Sequence, residues 1–380
     1  MCYVFKPGVM FPSRIYGPMS MHVLKLPNDR QVLLFGEKHW HNEGSDAVYV
    51  VDAIEGAEWI DEVHIEISTV LDANITRRGT SGNESPLFAA LYRGHALPEK
   101  PGEPVPLAPR LRFADVRRAG IFWLLSAVSE PGTFLNVYEP MFPDFRASMF
   151  ASSATTPAGA RRSLAFRLCR RIERGFFQEI RKRDTGLAFF RSLVVAGGTY
   201  PAWLRSARDE VAGYGMDLAD NPVHTAMARL APDVQNALWV ALEASWATLL
   251  DAPALQTQER STSKGVLERS YVVRMMSLCM DAYIVAGILA SPRGHARAYI
   301  IGDNHANSIV RILVRMQQVL QGSYSVGKGD DGTLNTTDMR RITLGNELGA
   351  PVDMLEVFRR SFARRHPRAD AGAESFGAAS

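Results

Sequence analysis

Two short apolar runs each end in a glycine and meet a histidine three residues later. QVLLFG (31–36) leads into Glu37, Lys38 and His39, and AYIIG (298–302) leads into Asp303, Asn304 and His305. Runs that are apolar at successive positions suit strands covered on both faces, not a sheet with one wet face. Gly36 and Gly302 give the backbone room to turn, or to approach a neighbour, at each strand end. Together these features confine the chain to an α/β architecture, in which helices lie on both sides of a sheet.

HVLKL (22–26) precedes QVLLFG across Pro27, Asn28 and Asp29. These are turn formers, so the two segments predict a hairpin. A helix is expected over 46–59. EVHIEIS (62–68) reads as a second central strand and LRFADVR (111–117) as a third, with an apolar helix over 119–128. TFLNVY (133–138) reads as a further strand or as a continuation of that helical region. Residues 74–109, rich in Gly, Pro and Ser, read as a long loop of the kind that is more often functional than neutral in a compact domain. From 160 to 290 the pattern is almost wholly helical. Leu164, Leu168, Ile172, Phe176 and Ile180 form an apolar stripe at helical spacing. Arg161, Arg162, Arg170, Arg171, Arg174, Arg181 and Arg183 occupy the opposite face. Further long helices are expected over 221–251 and 264–290. The fold expected is therefore α/β, a mostly parallel central sheet flanked by helices, with a large helical insertion between two α/β parts. The parts are 1–140, the insertion 141–295, and a C-terminal strand–helix part, 296–362, that completes the same sheet. The small, polar tail 363–380 is expected to be disordered.

The chain has 380 residues, 46% hydrophobic and 22% charged, enough to bury a sizeable core. Its net charge of +3 gives no whole-chain nucleic-acid footprint. The arginine stripe carries few aromatics, so no base-stacking platform is indicated and nucleic acid is not an expected partner. Cys2, Cys169 and Cys279 are far apart, which suits reduced, buried thiols better than a disulfide framework or a zinc ribbon. The N-terminus is broken by prolines and shows no secretory signal. The most apolar stretch, 272–290, is interrupted by Arg274 and Asp281 and is expected to be a buried core helix, not a transmembrane segment. An intracellular, cytoplasmic location is the corresponding expectation. No HExxH, P-loop, post-strand GxGxxG or GxSxG is present, which sets aside zincins, NTPases, dehydrogenases and α/β-hydrolases.

The chemistry-bearing residues gather at the strand ends. If the chain stays extended past Gly36, then Glu37, His39 and His41 project to one side. A carboxylate and two imidazoles there suit either a divalent metal or a general-base pair. In open α/β sheets that edge is where ligands bind. In EVHIEIS the residues His64, Glu66 and Ser68 share one strand face, and Val63, Ile65 and Ile67 share the other. A buried glutamate needs a partner; Arg117, a metal and a catalytic histidine all qualify for Glu66. Asp303 sits where a helix N-cap belongs. His305 falls in the first turn, where the helix dipole disfavours imidazolium and keeps the ring neutral, as a ligand or base must be. Asp115 and Arg117 share a strand face and predict an ion pair or a group that orients a site histidine.

Two strand–GxxH units, the first Gly36-Glu37-Lys38-His39 and the last Gly302-Asp303-Asn304-His305, bracket the acidic strand VHIEIS. The combination resembles the superfamily that groups TraB/PrgY and Tiki proteins, erythromycin esterases, GumN-like proteins and haem-binding ChaN proteins. The resemblance implies that the two motifs meet across a site and that Glu66 joins them. It implies Glu37, His39, Glu66 and His305 as catalytic residues. His41 and Asp303 depart from the family pattern by adding an imidazole and an acid, which favours a metal site; with Asp115 and Arg117 they are auxiliary candidates. Tiki-type members look like metal-dependent proteases, which makes Glu37, His39 and His305 ligands of a divalent metal such as Mn, Co or Zn. Erythromycin esterases use a histidine base. The implied activity is hydrolysis of a peptide or small ester. The other expectation is a non-catalytic haem- or metal-binding protein, or a degenerate scaffold of the same fold.

Overall fold

The computed structural model describes residues 14–37, 48–66, 110–117, 119–129, 164–180, 183–213, 218, 220–250, 264–326, 333–335 and 340–342. His39, His41, the loop 74–109, the segment 133–138 and the tail lie outside them. The N-terminal elements are β1 (Arg14–Tyr16), β2 (Ser20–Lys25), β3 (Gln31–Glu37), β4 (Val48–Tyr49), α1 (Val50–Glu55), β5 (Glu62–Ile65), β6 (Leu111–Phe113) and α2 (Ile121–Ser129). A run of helices follows: α3 (Leu164–Ile180), α4 (Arg183–Val194), α5 (Ala202–Ala212), α6 (Pro222–Met227), α7 (Pro232–Leu250) and α8 (Lys264–Leu289). The chain then forms β7 (Ala296–Gly302), α9 (Asp303–Arg315), β8 (Gln321–Val326), β9 (Thr333–Asn335) and β10 (Arg340–Ile342).

The main sheet has seven strands in the order β10-β8-β2-β3-β7-β5-β6. Its centre is parallel: β7 lies between β3 and β5, and β5 also pairs with β6. β2, β8 and β10 add an antiparallel flank. The sheet is thus mixed, with the expected parallel arrangement confined to the strands that carry the motifs. The two apolar runs are direct neighbours, with Phe35 opposite Ile300 and Glu37 opposite Gly302. The hairpin between β2 and β3 forms as expected. Its turn holds Asn28 and Asp29 at φ 62° and 57°, the left-handed region that Asn and Asp tolerate better than most residues.

Local differences from the sequence reading have local causes. The helix expected over 46–59 is shorter, because Val48 and Tyr49 pair instead with Ile15 and Tyr16 of β1. The expected helix 221–251 is two helices. Asn221 caps the first through its side chain, and Pro232 opens the second, where the missing N–H costs nothing.

One face of the sheet is dry. Leu33, Phe35, Val63, Ile65, Ala298 and Ile300 pack there with Ile54 and Trp59 from the α1 region. Fully burying each large side chain of this set contributes about 1.5–3 kcal/mol. The other face is covered by α8 and α9. Arg297 of β7 donates to the Gly287 carbonyl of α8 at 2.6 Å, which fixes that helix across the strands. The segment Tyr271–Leu289 is long and apolar enough to cross a membrane by composition, with a mean hydropathy of 1.7, but 72% of it is buried inside the fold, as in a core helix.

Candidate functional site

The alternation of β5 puts Val63 and Ile65 into the dry core and leaves Glu66 for the opposite face, just past the strand end. There the Glu66 side chain, only 6% exposed, accepts from Arg117 through Oε1 at 2.7 Å. It accepts from the Gly302 N–H through Oε2 at 2.5 Å. A Cβ at Gly302 would stand 3.2 Å from that oxygen, a tight contact that the carboxylate would have to yield to by a few tenths of an ångström. Arg117 also holds Asp115 in a bidentate pair, Nε to Oδ1 at 2.9 Å and Nη2 to Oδ2 at 3.0 Å. Paired forks of this kind fix orientation as well as charge. Asp115 and Arg117 form the expected ion pair, but they do not share a strand face, contrary to the sequence expectation. β6 ends at Phe113, and the two sit in the following turn, where Asp115 Oδ1 also accepts the Arg117 backbone N–H at 2.9 Å.

His305 reaches the same point from the first turn of α9. Its Nε2 lies 3.5 Å from Glu66 Oε1. Its Nδ1 lies 2.6 Å from Asp281 Oδ1 on α8. Asp281 is 2% exposed and His305 8%. Burial opposes charging the ring, but Asp281 and then Glu66 outweigh it, so the His305 pKa is raised above its ordinary 6.5. The sequence reading expected the helix terminus to keep this imidazole neutral. Two buried carboxylates overrule it, because a helix end carries about half a charge and each carboxylate a whole one.

Asp303 does not cap its helix. Gly302 occupies the cap position and no side-chain cap bond forms. The Asp303 carboxylate instead accepts from the Ser20 hydroxyl of β2 and from Asn307 Nδ2 at 3.2 Å. This bond passes over Gly36, where a Cβ would collide with both the Ser20 hydroxyl and the Asp303 carboxylate. The first motif glycine is therefore explained by close approach. Glu37 is buried, 3% exposed, at the end of the adjacent strand. It follows Phe35 on the pleat and so extends the dry face, whereas Glu66 and His305 occupy the other. The structure brings Glu66, His305, Asp115 and Arg117 together; Asp303 turns to Ser20 instead, and Glu37, expected to join the site, lies on the opposite face of the sheet because it continues the pleat of Phe35.

Asp281 is the residue the sequence reading passed over. It stood out only as a charge inside the apolar stretch 272–290. A buried acid in a core helix needs a partner, and that was the signal available.

Among the described residues no three His, Cys, Asp or Glu side chains form a metal-binding group. Both Glu66 oxygens are already engaged, the neighbouring group is a guanidinium, and each His305 nitrogen faces a carboxylate. His39, expected as a metal ligand beside Glu37 and His305, lies outside the described residues. Comparison of the chain with models of known families, with curated proteins and with solved structures found no match in any of them.

Proposed function

We propose that the chain is a hydrolase of amide or ester bonds in which His305 is the general base. What supports the reading is the buried Asp281–His305–Glu66 line at the carboxyl edge of the parallel strands. A carboxylate on Nδ1 fixes the tautomer and balances the imidazolium that forms when Nε2 takes a proton. In this scheme a water beside Nε2 loses its proton to His305 as its oxygen attacks the substrate carbonyl. The imidazolium then gives that proton to the departing amine or alcohol. Glu66, held by Arg117 and the Gly302 N–H, orients the Nε2 side of the ring. Arg117 is the part of the network most open to solvent, at 27%, and its positive charge suits a developing oxyanion.

The test is a panel of short peptides and small esters given to the pure protein. His305→Ala is expected to lower kcat/KM by about 10²–10⁴-fold. Asp281→Asn is expected to lower kcat and to move the ascending limb of the pH profile to lower pH, because the carboxylate that raises the His305 pKa is gone. An unchanged rate in the His305→Ala protein would overturn the proposal.

A further inference from the structure

We propose that the cavity beneath this site, on the same face of the sheet, binds the anionic group of a small organic substrate, a carboxylate or a phosphate monoester. Calling that ligand a substrate rests on the hydrolase reading; its binding does not. The cavity measures about 480 Å³ and lies between α8 and the strands β5, β6 and β7, within the usual range for small-molecule sites. Among the described residues that line it, three arginines, Arg112, Arg229 and Arg297, stand against one acid, Glu62. Glu62 is already engaged, by Arg297 at 2.7 Å and by His64 at 3.3 Å. His64 adds no charge of its own, since burial lowers its pKa. The balance inside the cavity is positive.

Its floor is flat. His64 stacks on Tyr299 with ring centroids 4.5 Å apart and planes at 18°, and Phe113 and Ile284 add apolar walls. Tyr299 is 1% exposed; Arg297 faces its hydroxyl oxygen, but among the described residues the hydroxyl proton has no acceptor. The adjacent Arg297 can only donate, and its own Nε is likewise buried without a partner. Burial pushes the Tyr299 pKa up, so the phenol keeps its proton as a donor. Two buried donors without acceptors thus sit side by side in one wall of the cavity, and buried donors call for a partner. A ligand that brings acceptor oxygens supplies one.

The position links cavity to chemistry. His64 stands two residues before Glu66 on β5, about 7 Å along a strand. On α8, Tyr283 lines the cavity and Asp281 holds His305. A molecule anchored by its anion on this floor extends its other end toward His305.

The test uses the pure full-length protein with benzoate, phenyl phosphate and, as a neutral counterpart, benzamide, read by calorimetry and thermal shift. One or both anions are expected to bind and raise Tm, the stronger identifying the anion class, with benzamide inert. Arg229→Glu, at the exposed rim, and Tyr299→Phe are each expected to weaken binding about tenfold without lowering the Tm of the unliganded protein. His305→Ala is expected to bind as the parent does. Failure of both anions to bind, equal binding of benzamide, or no effect of Arg229→Glu would overturn the pocket. Anion binding by a protein inactive on every ester and peptide would overturn the hydrolase reading and leave the pocket standing.

Discussion

The sheet carries two polar layers on one face, two residues apart along β5, and they treat histidine in opposite ways. At the edge, His305 lies between two carboxylates, Asp281 and Glu66, and its pKa is raised. In the cavity, His64 has one carboxylate, Glu62, which Arg297 also holds, and its pKa is lowered, burial first and the arginines after it. Glu62 is itself held at about 2, first by its bond to His64 and then, against desolvation, by the arginines. Both rings are buried in arginine-containing layers. The ratio of acids to imidazole decides which one charges.

The largest expected difference between the layers is in what removing the arginine costs. Arg117 joins two acids whose side chains are 6% and 9% exposed. Arg117→Met removes the cation that the two carboxylates share, and breaking a buried ion pair costs about 3–5 kcal/mol. Arg297→Met leaves Glu62, at 22% exposure, with His64 at 3.3 Å and Arg112 at 3.8 Å. About 1–3 kcal/mol is expected there, for the lost bonds of Arg297. Chemical denaturation of the two variants measures both. Equal losses would mean that the layers are not distinct in the way their charges suggest.

The contrast explains what the sequence could reveal. The apolar runs, the hairpin and the helical block were legible because hydrophobic pattern reports burial directly. Glu66 was legible as an acid inside a β-branched strand, and Arg117 as one of its candidate partners. Asp281 was not, because its use depends on α8 crossing the sheet at one particular height, a tertiary fact without a local signature. Asp303 was misread for the same reason: its hydroxyl partner, Ser20, is 283 positions away. The cavity layer was invisible as a site, since Glu62, Arg112 and Arg297 look like ordinary strand-end charges until the strands are aligned.

A smaller effect tests the opposed histidines through pH. The folded pKa of His305 lies above the ordinary 6.5. Its stabilisation is therefore fully present below about 6.5 and is lost as pH rises through the folded value. His64 is lowered from 6.5, so the folded state resists its protonation. Its contribution is present above about 6.5 and is lost as pH falls toward the folded value. His22, buried and lowered to about 4, adds to the acid loss. Each pKa unit of difference is worth about 1.4 kcal/mol. Urea titrations across pH are expected to show His305→Gln flattening the alkaline limb and His64→Gln reducing the acid limb. The same limb altered by both variants would break the comparison.

The smallest effect asks whether the cavity layer is held by its polar groups at all. In the edge layer each side-chain bond has a counterpart, so deletions leave something stranded. Tyr299 is different: its hydroxyl proton is buried without an acceptor, and Arg297, which faces the hydroxyl oxygen, keeps its bonds to Glu62 and the Gly287 carbonyl when the hydroxyl is removed. Tyr299→Phe keeps the ring that stacks on His64 and deletes only the unsatisfied group. Loss of an unpaired buried hydroxyl is expected to be neutral or stabilising, by up to about 1 kcal/mol, because its desolvation is not offset by a bond in the empty pocket. A Tm equal to or above that of the parent is the expected reading. A loss of 2 kcal/mol or more would mean that the hydroxyl is satisfied in the free protein, and the argument that the cavity awaits an acceptor would fall with it.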